Sequence, residues 1–378
     1  VVRMKEVRLG DYITLVGGGT PSKKVDSFWN GDISWASVKD FKSDYISSTQ
    51  DKITIEGVNN SATRIVPSGT LLIATRMAVG KVAFSQIDIA INQDLKAITC
   101  SNELSKRFLF YQLKSKSKYF ERVSSGATVK GIKIGHILDL KIPLPPLPTQ
   151  KKIAAILDAA DKYRQLTKTI IEKYDQLAQA LFLDMFGEYS EQELIPLKEN
   201  ITFSQGQQFP IEEQSLVPEE GYARFLRIVD FTQGDDFRYV PNENDKYYIQ
   251  KDDIVIVRYG ASAGFVGTNK EGVLANNLFK LKFNRNQFSH MFLFYTFMGK
   301  RFKSFVQKEA FGAAMPALSF KVMERFKILV PPINLQNQFT DRIQLIEQQK
   351  QQAQISLQKA EDLFNSLLQR AFKGELVS

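Results

Sequence analysis

The chain has 378 residues, 43% of them apolar and 24% charged, with a net charge of +9. At roughly 100–200 residues per domain this predicts two or three folded domains and excludes disorder, collagen and low-complexity classes. One cysteine, Cys100, and two histidines, His136 and His290, exclude a disulfide framework and a multi-thiolate zinc site, so no bound metal or cofactor is expected.

No stretch is long and apolar enough to span a membrane, and the N-terminal residues lack the core of a signal peptide, so a cytoplasmic protein is expected. Nearly all of the basic excess lies in the first 148 residues. A basic domain of that size points to a polyanion partner, nucleic acid first, with ordinary surface charge as the alternative.

In chain order, Gly17-Gly18-Gly19-Thr20-Pro21-Ser22-Lys23-Lys24 predicts a tight basic loop. Pro21 and the missing second glycine keep it from being a phosphate loop. Gly69–Thr75, Lys81–Phe84 and Ile87–Ile91 read as short strands, and Lys106–Val123 as a helix. Leu144-Pro145-Pro146-Leu147 lacks the Asn and the aromatic of an amino-methyltransferase motif and reads as a rigid joint. From there to Phe186 the only further proline is Pro148, and no glycine intervenes, so a long helix is predicted, ended by Gly187.

The pattern then recurs. Phe108-Leu109-Phe110-Tyr111 returns as Phe292-Leu293-Phe294-Tyr295, and Asn92-Gln93-Asp94-Leu95-Lys96 is matched to Asn276-Asn277-Leu278-Phe279-Lys280. Val38-Lys39-Asp40-Phe41 resembles Ile228-Val229-Asp230-Phe231, and Leu144-Pro145-Pro146-Leu147 resembles Val330-Pro331-Pro332-Ile333. Asp253–Arg258 predicts a strand and Met291–Lys308 a helix. After Pro332 no proline or glycine appears before Gly374.

Each long helix carries a heptad seam with gaps of four and three. In the first it includes Ile153, Leu157, Ala160, Ile171, Tyr174 and Leu181, interrupted by Arg164. In the second it includes Phe339, Ile343, Ile346, Leu357, Phe364 and Leu367, interrupted by Lys350 at the equivalent place. A helix of about 36 residues is about 54 Å long and would leave such a stripe wet. Two in one chain can bury their stripes on each other, and an antiparallel pair suits the intervening module. Separate packing of each helix on its own domain is the alternative. The expected fold is α+β: strand-rich units at 1–148 and 188–332, long helices at 149–187 and 333–378, and an antiparallel coiled coil with pseudo-two-fold symmetry.

No spacing nominates a catalytic triad, a dinucleotide loop or a metal set. The residues fit DNA contact better, with Lys and Arg for phosphates and Gln, Asn and Arg for base edges. In the first copy the candidates are Thr20, Ser22, Lys23, Lys24, Lys39, Arg76, Lys81, Thr128, Lys130 and Lys133. In the second they are Gln205, Gln207, Gln208, Arg227, Arg258 and Tyr259. The loop Ser124–Gly131 is small enough to approach a groove, and Lys308–Met315 is taken as its counterpart. Trp35 reads as core.

The repeat, the Pro-Pro joint followed by Gln150-Lys151-Lys152-Ile153-Ala154-Ala155-Ile156-Leu157-Asp158, and Gly18–Ser22 with Trp29-Asn30-Gly31-Asp32-Ile33-Ser34-Trp35 resemble the specificity subunit of type I restriction-modification enzymes. The resemblance covers nearly the whole chain, although Leu335-Gln336-Asn337-Gln338-Phe339 is richer in glutamine. It implies two target-recognition domains reading the halves of a split, asymmetric site on double-stranded DNA, and helices that form a spacer. It also implies two modification subunits carrying S-adenosylmethionine and the methyl-transfer site. A restriction subunit using ATP and Mg would be a further partner, and this chain itself would be non-catalytic. A subunit of another restriction system, an orphan, or a non-DNA scaffold are the competing readings.

Overall fold

The computed structural model describes residues 5–126, 129–187, 193–234, 236–310 and 316–376. The chain divides into two compact units, Val1–Lys168 with Ile355–Ser378, and Thr169–Gln354. Each holds one strand-rich module and a stretch of both long helices.

In the first unit, a five-stranded sheet runs in the order Ile13–Gly17, Leu95–Cys100, Leu71–Ala74, Val82–Ser85, Tyr45–Ile46. A four-stranded sheet runs Asp51–Ile53, Trp29–Ala36, Ile89–Ile91, Arg64–Val66. Leu71–Ala74 is buried at every position, as a continuous apolar run requires when both faces are covered. Gly69 adopts φ +80° ahead of it, and its N–H bonds Ser85 O at 2.8 Å. Trp35 lies in the core, edge-on to Trp29 at 5.2 Å, with its indole N–H on Gly19 O.

The second unit repeats this arrangement. One sheet runs Ile201–Gln205, Leu278–Phe283, Val255–Val257, Val266–Gly267; the other runs Tyr239–Pro241, Tyr222–Leu226, Gly272–Leu274, Tyr248–Ile249. The first strand and the one before the long helix pair in both units, Glu6–Arg8 with Lys141–Pro143 and Ile195–Pro196 with Lys327–Ile328. Among the described residues, the first unit alone adds a fifth strand to this sheet, Tyr45–Ile46 at its edge.

The repeat has a local cause at Asp40 and Asp230. Asp40 accepts the Ser37 N–H at 2.8 Å, and Asp230 accepts the Arg227 N–H at 3.0 Å. Each carboxylate thereby reaches back from within a short helix, Val38–Asp40 or Ile228–Thr232, to the N–H of the residue that precedes it.

The predicted helix Lys106–Val123 is two helices, Lys106–Ser115 and Ser117–Val123. Lys116 leaves helical geometry at φ −97°, ψ 10°, and its N–H bonds Leu113 O, a three-residue closure that tightens the turn. Its second-copy counterpart breaks likewise into His290–Met298 and Lys300–Ala310, because Gly299 is extended at ψ 160°. Each break lets the two short helices place Phe108 and Phe120, or Phe297 and Phe302, into one core.

The long helices span Leu147–Phe186 and Ile333–Lys373. Gly187 and Gly374 follow them at φ +71° and +78°, the left-handed conformation that ends helices. Ile153, Leu157, Phe339, Ile343 and Phe364 are buried, and Ala160, Ile171, Tyr174, Leu181, Ile346, Leu357 and Leu367 are partly buried. In the first unit Ile153, Leu157, Phe364 and Ala371 belong to one core. In the second, Phe339 packs edge-on to Phe182, Phe186 and Tyr295.

The charged interruptions are accommodated. Arg164 pairs with Asp161 and lies 4.4 Å from the Phe364 ring centroid, and Lys350 pairs with Asp175. Cation–π contact and ion pairing thus replace apolar packing there.

The Pro-Pro joint is locked by a glutamine. Gln150 is fully buried; its Nε2 donates to Glu103 O and Pro145 O at 2.8 Å, and its Oε1 accepts Ser105 N–H at 2.9 Å. Gln336 does the same with Gln287 O, Pro331 O and Ser289 N–H. Each glutamine ties the start of a long helix to the start of the module's own helix.

Candidate nucleic-acid interface

Each module presents two loops held together by the same hydrogen bonds. In the first, Met77 N–H bonds Lys130 O at 3.0 Å, Ile132 N–H bonds Thr75 O at 2.9 Å, and Arg76 bridges Gly131. In the second, Gly260 N–H bonds Pro316 O at 3.0 Å, Leu318 N–H bonds Arg258 O at 2.9 Å, and Tyr259 bridges Ala317. Backbone bonds fix the spacing of the loops whatever side chains they carry.

These bonds also correct the internal alignment. Thr75 N–H bonds Asp94 O, and Arg258 N–H bonds Asn277 O, both at 2.8 Å. Asp94 therefore corresponds to Asn277, one residue earlier than the sequence match. Lys130 corresponds to Pro316. Residues 311–315 of the loop assigned as counterpart to Ser124–Gly131 lie outside the described residues, as does candidate Thr128.

Three first-copy candidates are brought together. Arg76, Lys81 and Lys130 lie on or beside the stitched loops and are exposed. Lys81 and Lys130 line a cleft of about 550 Å³ with Lys42, Lys114 and Met77. Lys114 is held by Asp44 at 2.7 Å, and Arg76 lies 3.6 Å from Asp94. Lys42 is not among the candidates the sequence singles out; it directly follows the Asp40 turn, and its second-copy equivalent is Thr232, so the repeat does not mark it. An exposed cation cluster of this kind suits a phosphate backbone.

The other first-copy candidates sit elsewhere. Thr20 hydrogen-bonds Gln93, and Ser22, Lys23 and Lys24 form the exposed end of the glycine loop. The glycines there serve close approach: a Cβ on Gly18 would meet Ile91 O at 1.8 Å, and one on Gly19 would meet Ala62 C at 2.6 Å. Lys39 is exposed on the Asp40-capped turn, and Lys133 precedes the helix Ile134–Leu138.

In the second module Gln205 and Arg258 meet, Oε1 accepting from Nη1 at 2.7 Å, and Tyr259 lies 4.7 Å from the guanidinium. Gln208 accepts from Asn276, which the sequence reading left out although it opens the matched Asn-Asn-Leu-Phe-Lys run. Gln207 bridges Ala275 through its backbone. Arg227 is engaged by Asp230 and Asp236 at 3.2 and 3.0 Å, so its charge holds the module together.

Among the described residues no group of three His, Cys, Asp or Glu side chains could hold a metal ion. No helix there is long and apolar enough to cross a membrane. Burial pushes the Cys100 thiol up to about 11, which makes it a poor nucleophile.

Known proteins share this architecture. The S subunit of a type I restriction-modification system from M. genitalium superposes with a TM-score of 0.60 at 18% identity, covering 98% of this chain and 97% of that one. The MjaVIII type I specificity subunit of Methanocaldococcus jannaschii is 24% identical over 90% of this chain and 85% of its own length. The MjaIX subunit of the same organism is 31% identical, and the EcoR124I/EcoR124II subunit of Escherichia coli 33% identical. Those two matches span 48% and 43% of this chain, and under half of each relative, 43% and 42%. The signature described as the type I restriction modification DNA specificity domain matches residues 2–175 and 213–357. With two like modules, each carrying stitched loops and a locked helix, the chain belongs to the type I restriction-modification DNA specificity family.

Proposed function

We propose that this chain is the DNA-reading subunit of a type I restriction-modification complex. It reads a split, asymmetric site, one half with each module, and performs no chemistry itself. The observation that carries this reading is the doubled scaffold: two loop pairs stitched by identical backbone bonds but bearing different side chains. Identical frames with unlike contents suit two unlike half-sites.

The two long helices form an antiparallel coiled-coil spacer with pseudo-two-fold symmetry. In support, Phe186 near the end of the first helix contacts Phe339 near the start of the second, and Lys168 pairs with Glu361 at 3.1 Å. A spacer of fixed length would place the modules on one face of the duplex about one turn, or roughly 34 Å, apart.

Modification subunits dock on the helices. Ile156, Tyr163, Leu166, Ile170 and Leu177 of the first helix are exposed, which supports an apolar partner surface. Those subunits supply S-adenosylmethionine and methyl transfer; a restriction subunit would supply ATP-driven cleavage. The reading places the chain in the cytoplasm with its DNA.

Long-read methylation sequencing of a host with and without the chain tests this. Methyl marks on a two-part motif that vanish with the chain are expected, and unchanged methylation refutes it. Inserting seven residues at matching seam positions of both helices adds about 10 Å, so the unread gap should lengthen by about three base pairs. An unchanged gap removes the spacer role.

A further inference from the structure

Three described residues other than glycine adopt left-handed backbone: Asn30, Asn269 and Met77. Asparagine tolerates that conformation because its short amide bonds locally, whereas an unbranched apolar side chain gains nothing there. Met77, at φ +59°, is also 66% exposed. A lone exposed apolar residue is ordinary; one held out from strained backbone is not.

The second module shows what the turn needs. The equivalent position is Gly260, at φ +83°, with the same hydrogen bond from its N–H. A Cβ there would meet nothing within 4 Å. Glycine thus satisfies the turn without strain, and the first module carries methionine instead. The turn is pinned at its far end too, by Gly80 N–H on Ala74 O at 2.9 Å, matched by Gly264 N–H on Val257 O. The side chain therefore projects from a rigid frame, on the cleft that holds Lys42, Lys81 and Lys130.

We propose that Met77 is a specificity-determining residue of the first module, its thioether side chain making apolar contact with a base of the bound DNA between lysines that hold the backbone. Two base features offer that contact, a thymine methyl in the major groove or the face of a base at a partly opened step. The proposal rests on the DNA-reading function above.

The test uses the full chain assembled with its modification subunits and a duplex bearing the motif found by methylation sequencing. M77G removes the side chain and relaxes the turn, so the thermal midpoint should hold or rise. Affinity for the cognate duplex should fall about tenfold with an unchanged salt slope, and one base pair of the first half-site should become degenerate in the methylome. M77L should retain most of the affinity.

Replacing each thymine by uracil then separates the sources. A single replacement that weakens wild type but not M77G identifies the methyl. A 2-aminopurine that brightens with wild type but not with M77G identifies an opened step. A loss in M77G with neither signature overturns direct base contact. M77G with wild-type affinity and motif overturns the assignment while leaving the DNA-reading function intact. A wild-type complex without sequence preference overturns both.

Discussion

The two modules share a frame and differ in how they use their charges. In the first, Lys81 and Lys130 are exposed on the stitched loops without an acidic partner among the described residues. In the second, Arg224 and Arg227 converge on Asp230, Arg227 also takes Asp236, and Arg285 pairs with Asp252 and Asp253. Asp230 is almost wholly buried, so its arginines neutralise a desolvated carboxylate. The lesson is that side chains of like charge do two jobs, and the neighbouring acids tell which. Lys81 and Lys130 of the first module are thus available to a polyanion, while Arg224, Arg227 and Arg285 of the second are occupied.

The seam offers the sharpest way to break the likeness. Ile153 and Phe339 are equivalent and both fully buried, but only Phe339 lies in an aromatic cluster. Phe339→Ala should destabilise the chain by about 3–5 kcal/mol, at or above Ile153→Ala at about 2–4 kcal/mol. Urea unfolding of both variants checks the order, and a costlier Ile153→Ala would show that the first unit leans more on its helix.

The joints should respond alike. Gln150→Ala and Gln336→Ala each strand one buried N–H and remove a donor from two carbonyls, at about 2–4 kcal/mol. Thermal melts that differ strongly between them would reveal unequal joints beneath equal geometry.

A smaller contrast lies at the tyrosines that link module to helix. Tyr111 donates to Asp158 at 2.6 Å beside Arg107, whereas Tyr295 donates to Glu347 at 3.1 Å. Burial pushes both phenols upward, so neither ionises near neutrality. Tyr111→Phe should cost about 2 kcal/mol and Tyr295→Phe about 1 kcal/mol. Equal losses by chemical denaturation would remove the distinction.

The smallest effect on stability is expected at Lys130. Lys130→Ala should change it by less than about 0.5 kcal/mol. The same variant should lower the log–log salt slope of DNA binding by about 1. Arg227→Ala should do the reverse, weakening the fold with little change in slope; filter-binding titrations over a salt series would expose an exchange of roles.

Much of the frame was legible in the sequence because its signals are long and periodic. The four-three spacing picks out residues that are buried or partly buried along both helices, and the recurring Phe-Leu-Phe-Tyr marks the repeat. The break at Lys116 was not legible, since neither proline nor glycine announces it; a backbone bond to Leu113 makes it. The one-residue correction of Asp94 to Asn277 escaped for a similar reason, because carbonyl positions rather than side chains define it. At the interface, composition flagged cations but not their partners, so Arg227 and Lys130 looked alike. Met77 was invisible because nothing in its neighbours predicts left-handed backbone.

The glutamine at each Pro-Pro joint has an evolutionary consequence. Both grip only main-chain atoms, Glu103 O, Pro145 O and Ser105 N for Gln150, and Gln287 O, Pro331 O and Ser289 N for Gln336. A fastener that never consults side chains imposes no toll on drift beyond it. Surface loops can diverge, and sequence preference with them, while the mounting stays unchanged.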